Sequence, residues 1–294
     1  MLTWYPARMF WSTSAFQGVM TIVSFFAFHE TYPQLILRRR AEKKRSETGD
    51  QRYVTAAERQ YAGISPINAI SRSLTRPLRL LLFHPIVQLI SVLSALNYGM
   101  LYIILATFSD LWVVAYGQPV DISGLHYIAV ALGEIAGSQI SGYVMDTIYT
   151  KLKTRAGDAG RPEYHIPMML PGAILAPVGL LIYGWAAQTH KHWIVVDVGM
   201  FIATFGLQIA GMPKQAYIID SYPEHASSAT AASQLLRSLM AFTFPLFAPA
   251  MYRALGYGWG NSLLALITLL FGVPAPLLLW WLGPRLRAKA RESY

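Results

Sequence analysis

The polar stretch Glu30–Phe83, which opens ETYPQLILRRRAEKKRSETGD over residues 30–50, decides how the rest of the chain is interpreted. It holds 11 Lys and Arg residues, six of them between Arg38 and Arg45, and it separates one apolar run from six later ones. Loops that remain in the cytosol carry the excess of Lys and Arg close to helix ends. We therefore predict that this stretch is cytosolic and that it sets the direction of every flanking helix.

The composition indicates a polytopic protein of the lipid bilayer. Of the 294 residues, 54% are hydrophobic and only 13% are charged, whereas soluble domains average about 25% charged residues. The net charge of +9 comes from basic loops between apolar runs, so we expect no nucleic-acid partner. The chain has no cysteine, which excludes disulfides, thiolate nucleophiles and thiolate metal sites. We expect no cofactor.

Seven apolar runs are long enough to cross a hydrocarbon core, which takes about 20 helical residues. They are Met9–Phe28, Pro85–Phe108, Gly124–Thr147, Pro167–Ala187, Trp193–Ile219, Ala226–Pro249 and Gly258–Leu282. If the runs alternate in direction, nineteen Lys and Arg residues lie in inner segments and three in outer segments. This asymmetry predicts a cytosolic tail. Within the central loop, Pro66–Thr75 could form a short amphipathic helix on the inner leaflet or a soluble turn.

Short motifs from the central loop to the end of the chain are similar in order and spacing to fungal drug:proton antiporters of the major facilitator superfamily. They include ETYP at Glu30, TG at Thr48, RPE at Arg161, YGW at Tyr183 and YIIDSY at Tyr217. Two details depart from the family pattern. Pro33 follows Tyr32 directly, and His165 and Ile166 stand where an arginine and a leucine are usual.

The resemblance implies an all-α membrane fold and proton-coupled efflux of a small organic compound, such as a drug, a toxin or a secondary metabolite, across the plasma membrane or the vacuolar membrane. It divides the chain into residues 1–28, the last helix of an amino-terminal half; 29–84, the central loop; 85–283, a six-helix carboxy-terminal half; and 284–294, the tail. Five helices of the family precede Met9, so we expect a shortened chain and a missing amino-terminal half as its partner. An inactive fragment and a seven-helix enzyme acting on a lipid or prenyl group are the alternatives.

Two charged residues lie deep inside predicted spans, where charge is expensive and usually functional. Glu134 lies ten residues into its span, or about 15 Å. Arg237 lies eleven residues into its span, or about 16 Å. We expect both near the midplane, as a proton or substrate site or as a structural pair that joins two helices. Further polar or amphipathic residues could line a substrate and proton pathway or simply bond to neighbouring helices: Asn97, Tyr98, Tyr102, Gln139, Tyr183 and Gln208.

A degenerate copy of the family's inner-loop motif follows in Gly142, Asp146 and Lys151. The resemblance implies a gate in which Asp146 holds a neighbouring helix, with Asp220 and Glu224 as its partners; a solvated helix end is the alternative. In the same span, small residues recur every four positions at Ala129, Gly133, Gly137 and Ser141. Such a stripe allows close helix packing.

Overall fold

The computed structural model describes residues 4–28, 30–61 and 66–292, and within them every regular element is a helix. The chain forms two compact units, Met1–Ala69 and Ile70–Tyr294.

The first unit contains one helix over the predicted first span and further helices within the predicted polar loop. Helix α1 is Trp4–Ala27, α2 is Pro33–Thr48 and α3 is Ala56–Tyr61. The basic run of α2 is rich in Leu, Arg, Glu and Lys, which are good helix formers, and the Arg38 side chain binds Glu42 at 2.9 Å. Helix α3 begins with a capping box, in which the Thr55 hydroxyl accepts from the Glu58 N–H at 3.2 Å and the Glu58 carboxylate accepts from the Thr55 N–H at 2.9 Å.

Helix α4 is Pro66–Phe83, which is longer than the expected amphipathic segment Pro66–Thr75. The side chains at 66–70 lie outside the described part of the structure. The later turns of α4 are described, and they place Leu80 in a buried cluster with Ile86 and Ile90.

The second unit is a bundle of long helices. Its helices are α5 (Pro85–Asp110, continued by a π turn at Leu111–Ala115), α6 (Val120–Ser123), α7 (Tyr127–Ala156), α8 (Met169–Gln188), α9 (Trp193–Ser221), α10 (Ala226–Gly272) and α11 (Pro274–Glu292). Helices α7 and α8 pack along α9, and α10 packs along α5 and α8. Leu, Ile, Phe and Trp side chains remain exposed on many of these helices, as expected where lipid is the solvent.

The stripe of small residues on α7 packs against α9, as the sequence predicts. A Cβ atom on Gly137 would come within 2.9 Å of the Phe205 carbonyl oxygen, and one on Gly133 would come within 2.7 Å of the Phe201 carbonyl oxygen. The Ser141 hydroxyl donates to the Ile209 carbonyl at 3.4 Å. The two helices therefore approach with backbone against backbone, which larger residues would prevent.

Helix α10 reverses direction at Gly256, which has φ +72° and ψ 175°. The Tyr252 hydroxyl donates to the Asn261 side chain at 3.1 Å, although nine residues of straight helix would separate them by about 13 Å. A second interruption follows at Val273, before two prolines that lack the N–H a helix requires. The sequence predicts separate spans that end at Pro249 and begin at Gly258, and it treats Gly258–Leu282 as one span in which Pro274 and Pro276 allow a kink.

Five helical stretches among the described residues are long and apolar enough to cross a membrane: Pro85–Ala115, Val120–Ala156, Pro162–Gln188, Trp193–Ser221 and Pro223–Ala288. The predicted span Met9–Phe28 is not among them. The last stretch has 66 residues and contains the reversal at Gly256. The count of seven spans stays a prediction.

Candidate functional site

A cavity of about 340 Å³ opens among α5, α7, α9 and α10. Its lining combines charged, amide and hydroxyl groups with an apolar wall. The lining residues are Ser94, Asn97, Tyr98, Leu101, Glu134, Leu207, Gln208, Gly211, Met212, Lys214, Gln215, Thr230, Gln234 and Arg237. Four helices that lie far apart in sequence thus bring polar groups to one place inside an apolar bundle.

Five of the residues singled out in the sequence line this cavity: Glu134, Arg237, Asn97, Tyr98 and Gln208. Asn97 is held in place because its amide donates to the Leu207 carbonyl at 3.1 Å. Tyr102 is not one of the lining residues; its ring stacks on Tyr98 with 6.1 Å between centroids.

Two predicted pathway residues lie elsewhere. Tyr183 is fully buried in the apolar core, with its ring 6.2 Å from that of Phe108, and its helix α8 contributes nothing to the cavity lining. Gln139 is exposed on α7. It follows Glu134 by five positions, which turns it about 140° away around the helix.

Arg237 and Glu134 share the cavity but do not form the direct ion pair that the sequence suggested. No carboxylate of the described residues lies within 4.0 Å of the Arg237 guanidinium. That group stacks instead on Tyr98, with the guanidinium carbon 3.6 Å from the ring centroid. Its buried Nε finds no hydrogen-bond acceptor in the described part of the chain.

Lys214 is the main functional candidate that the sequence analysis passed over. The residue is only 4% exposed, it is one of the residues that line the cavity, and its Nζ donates to the Leu93 carbonyl at 3.5 Å. The sequence did contain a sign of its importance, because Lys214 is a charged residue inside an apolar run. Its direction toward the cavity could not be read from that run, because the helix is apolar on several faces.

The predicted gating residues do not form one cluster. Asp146, Lys151 and Glu224 are exposed, and Gly142 faces open space. Asp220 binds His165 at 2.9 Å. His165 lies on the 3₁₀ turn Pro162–Met168. The partnership of Asp146 with Asp220 stays a prediction.

The structure shows a second polar contact at the same end of the bundle, an ion pair that the sequence analysis did not predict. The Arg287 guanidinium of α11 donates to the Glu163 carboxylate at 3.1 Å, and the two side chains are 17% and 6% exposed. Nearby, the hydroxyl of Tyr164 and the guanidinium of Arg161 both bind Asp158 at 2.8 Å. The Tyr164 hydrogen bond is the largest cause that holds the pKa of Asp158 below its ordinary value. These contacts fasten the loop after α7 to the bundle.

The sequence pattern of the Major Facilitator Superfamily matches residues 2–245 of this chain. The chain belongs to the Major Facilitator Superfamily. It is 51% identical over 286 residues to the Aspergillus flavus protein named "Probable efflux pump mfs2", a match that covers 97% of this chain and 67% of the relative. The all-helical bundle of the described residues is consistent with this family.

Two further relatives of this superfamily are also fungal. The chain is 39% identical over 285 residues to "Efflux pump vrtL" of Penicillium aethiopicum, covering 97% of this chain and 56% of the relative. It is 41% identical over 280 residues to an uncharacterized transporter of Schizosaccharomyces pombe, covering 95% and 57%. The chain thus spans little more than half the length of these two proteins. The relatives are named as transporters or efflux pumps, which favours a multi-pass membrane transporter over the alternative of an intramembrane enzyme.

Proposed function

We propose that this chain exports a small organic compound and that the proton gradient drives the export. The observation that carries the proposal is the cavity of about 340 Å³ within residues 94–237, where charged and amide groups meet an apolar wall of Leu101, Leu207 and Met212. This volume lies within the usual range of small-molecule sites, roughly 300–1,000 Å³. The efflux pumps among the fungal relatives support the direction of transport.

Glu134 is our candidate for the residue that carries the proton. It is the one carboxylate among the described residues that line the cavity, and it is half-buried on α7. Carboxylates inside membrane bundles commonly serve proton relays, because protonation removes the cost of a charge in hydrocarbon. The polar groups of Asn97 and Gln208 would orient the transported compound beside it.

The test uses the full chain in liposomes loaded with three naphthalene probes that differ in charge: 2-naphthalenesulfonate, 2-naphthalenesulfonamide and 2-naphthyltrimethylammonium. An imposed pH gradient should accelerate the release of at least one probe relative to protein-free liposomes, and a protonophore should abolish that acceleration. Glu134→Gln should remove the gradient dependence. If the gradient changes the release of no probe, proton-driven export by this chain is contradicted.

A further inference from the structure

We propose that the cavity takes an organic anion, held by its acidic group between Lys214 and Arg237. This inference rests on the proposed function, since it assigns a substrate class to the same cavity. It starts from an imbalance of charge: the described lining residues include two cations, Lys214 and Arg237, and one carboxylate, Glu134. Even with Glu134 ionised, the formal charge of the lining is +1.

Neither cation is paired with a carboxylate of the described residues. The described residues place no carboxylate within 4.0 Å of Lys214 Nζ or of the Arg237 guanidinium. Among the described residues, Lys214 has one long hydrogen bond, of 3.5 Å, to the Leu93 carbonyl, although the residue is only 4% exposed. A buried cation without a counter-ion is costly. An anion that enters the cavity relieves that cost at both residues.

The two groups also suit an acidic ligand by their chemistry. The Arg237 guanidinium carbon lies 3.6 Å from the Tyr98 ring centroid, so the aromatic ring holds the charge at this position, while the buried Nε has no acceptor among the described residues. Lys214 contributes a compact charge from the neighbouring helix α9. Guanidinium and ammonium groups are the usual partners of carboxylate, sulfonate and phosphate oxygens. The apolar residues Leu101, Leu207 and Met212 complete the cavity for an apolar body on the same ligand.

The experiment measures the affinities of the same three naphthalene probes for the full chain in lipid nanodiscs by calorimetric titration. Fixed sulfonate and ammonium charges keep the probe charge independent of pH. We expect 2-naphthalenesulfonate to bind about tenfold or more tightly than 2-naphthalenesulfonamide, as charge-assisted hydrogen bonds imply. The ammonium probe should bind more weakly than both.

Substitutions of the two cations test whether they are the residues that bind the sulfonate group. Lys214→Gln and Arg237→Gln should each weaken sulfonate binding about tenfold and leave sulfonamide binding within about threefold. Lys191→Gln, at an exposed loop residue, should change neither. Lys214→Arg and Arg237→Lys keep the charge and should keep most of the sulfonate affinity, which separates loss of charge from loss of folding.

The outcomes distinguish this inference from the proposed function. If the three probes bind equally, or if the ammonium probe binds best, the anionic substrate class is wrong and the cavity remains a substrate site for another class. If no probe binds, both the cavity assignment and the anion inference fall.

Discussion

The guanidinium carbon of Arg237 lies 3.6 Å from the ring centroid of Tyr98 on the wall of the cavity. This contact takes the place of the Arg237–Glu134 ion pair that charge alone suggested. A cation over an aromatic face is attracted by the negative potential of the ring, and desolvation strengthens the attraction. The Arg237 charge is therefore kept in position without being neutralised.

The first prediction concerns this contact. Tyr98→Leu should lower the free energy of unfolding by about 1–2 kcal/mol, because it removes the ring under a desolvated guanidinium. Tyr98→Phe should cost much less. Tyr102→Leu is a matched control, since that ring stacks on Tyr98 and is 41% exposed. Thermal unfolding in detergent measures all three; equal losses for Tyr98→Leu and Tyr98→Phe would show that the hydroxyl, not the ring face, matters.

The second prediction is a double-mutant cycle on Glu163 and Arg287. Removing one partner of a buried pair leaves an uncompensated charge, so Glu163→Gln and Arg287→Gln should each lower the free energy of unfolding by roughly 3 kcal/mol. The double variant should lose clearly less than the two losses combined. Arg161→Gln breaks a pair in which Arg161 is 60% exposed and should cost less than about 1 kcal/mol. Simple additivity in the cycle would show that Glu163 and Arg287 do not interact.

The third prediction concerns the chain reversal at Gly256. Its φ of +72° with ψ of 175° is a conformation open almost only to glycine, which costs other residues about 1–3 kcal/mol. A Cβ atom there would also collide with the Gln188 side-chain oxygen. Gly256→Ala should therefore lower the thermal unfolding midpoint. Gly124→Ala, with φ −64° and open space around it, should leave the midpoint nearly unchanged. A neutral Gly256→Ala would mean that the reversal does not depend on glycine.

The fourth prediction concerns pH. Burial is the main cause that lowers the pKa of His84 below its ordinary value, with Arg79 and His225 adding to it. The unfolded chain then binds the proton more readily than the folded one. Stability should be complete above about pH 6.5, the ordinary histidine pKa, and should fall as the pH drops through that value toward the lower folded pKa.

Thermal unfolding of wild type and His84→Gln between pH 7.5 and 5 measures this effect. The variant should show a flatter dependence on pH than wild type. His192→Gln, at an exposed histidine, should keep the wild-type slope. If His84→Gln keeps that slope as well, another group is responsible.

The fifth prediction concerns orientation. The chain has no cysteine, so single cysteines introduced on purpose are the sole targets of a thiol reagent. Ser46→Cys and Ala288→Cys should react with a membrane-impermeant maleimide only after permeabilisation, and Lys191→Cys should react in intact cells. If Ser46→Cys were labelled in intact cells, the predicted cytosolic position of this residue would be contradicted.

The sequence by itself determined the class of this protein and selected two of the charged residues that line its cavity. Low charge content, long apolar runs and basic loops follow from the solvent, because a bilayer accepts only apolar helices and orients them by their flanking cations. Counting residues from the span ends was enough to select Glu134 and Arg237, and both line the cavity.

Only the tertiary structure decided which faces of the helices meet. These helices are apolar on several sides, so their patterns carry little information on rotation, unlike an amphipathic helix in water. The sequence therefore could not predict that Lys214 lines the cavity, that Tyr183 lies in the core or that Asp220 binds His165. It also could not show that Arg237 lies on Tyr98, because that choice depends on the packing of α10 against α5 and not on the charges alone.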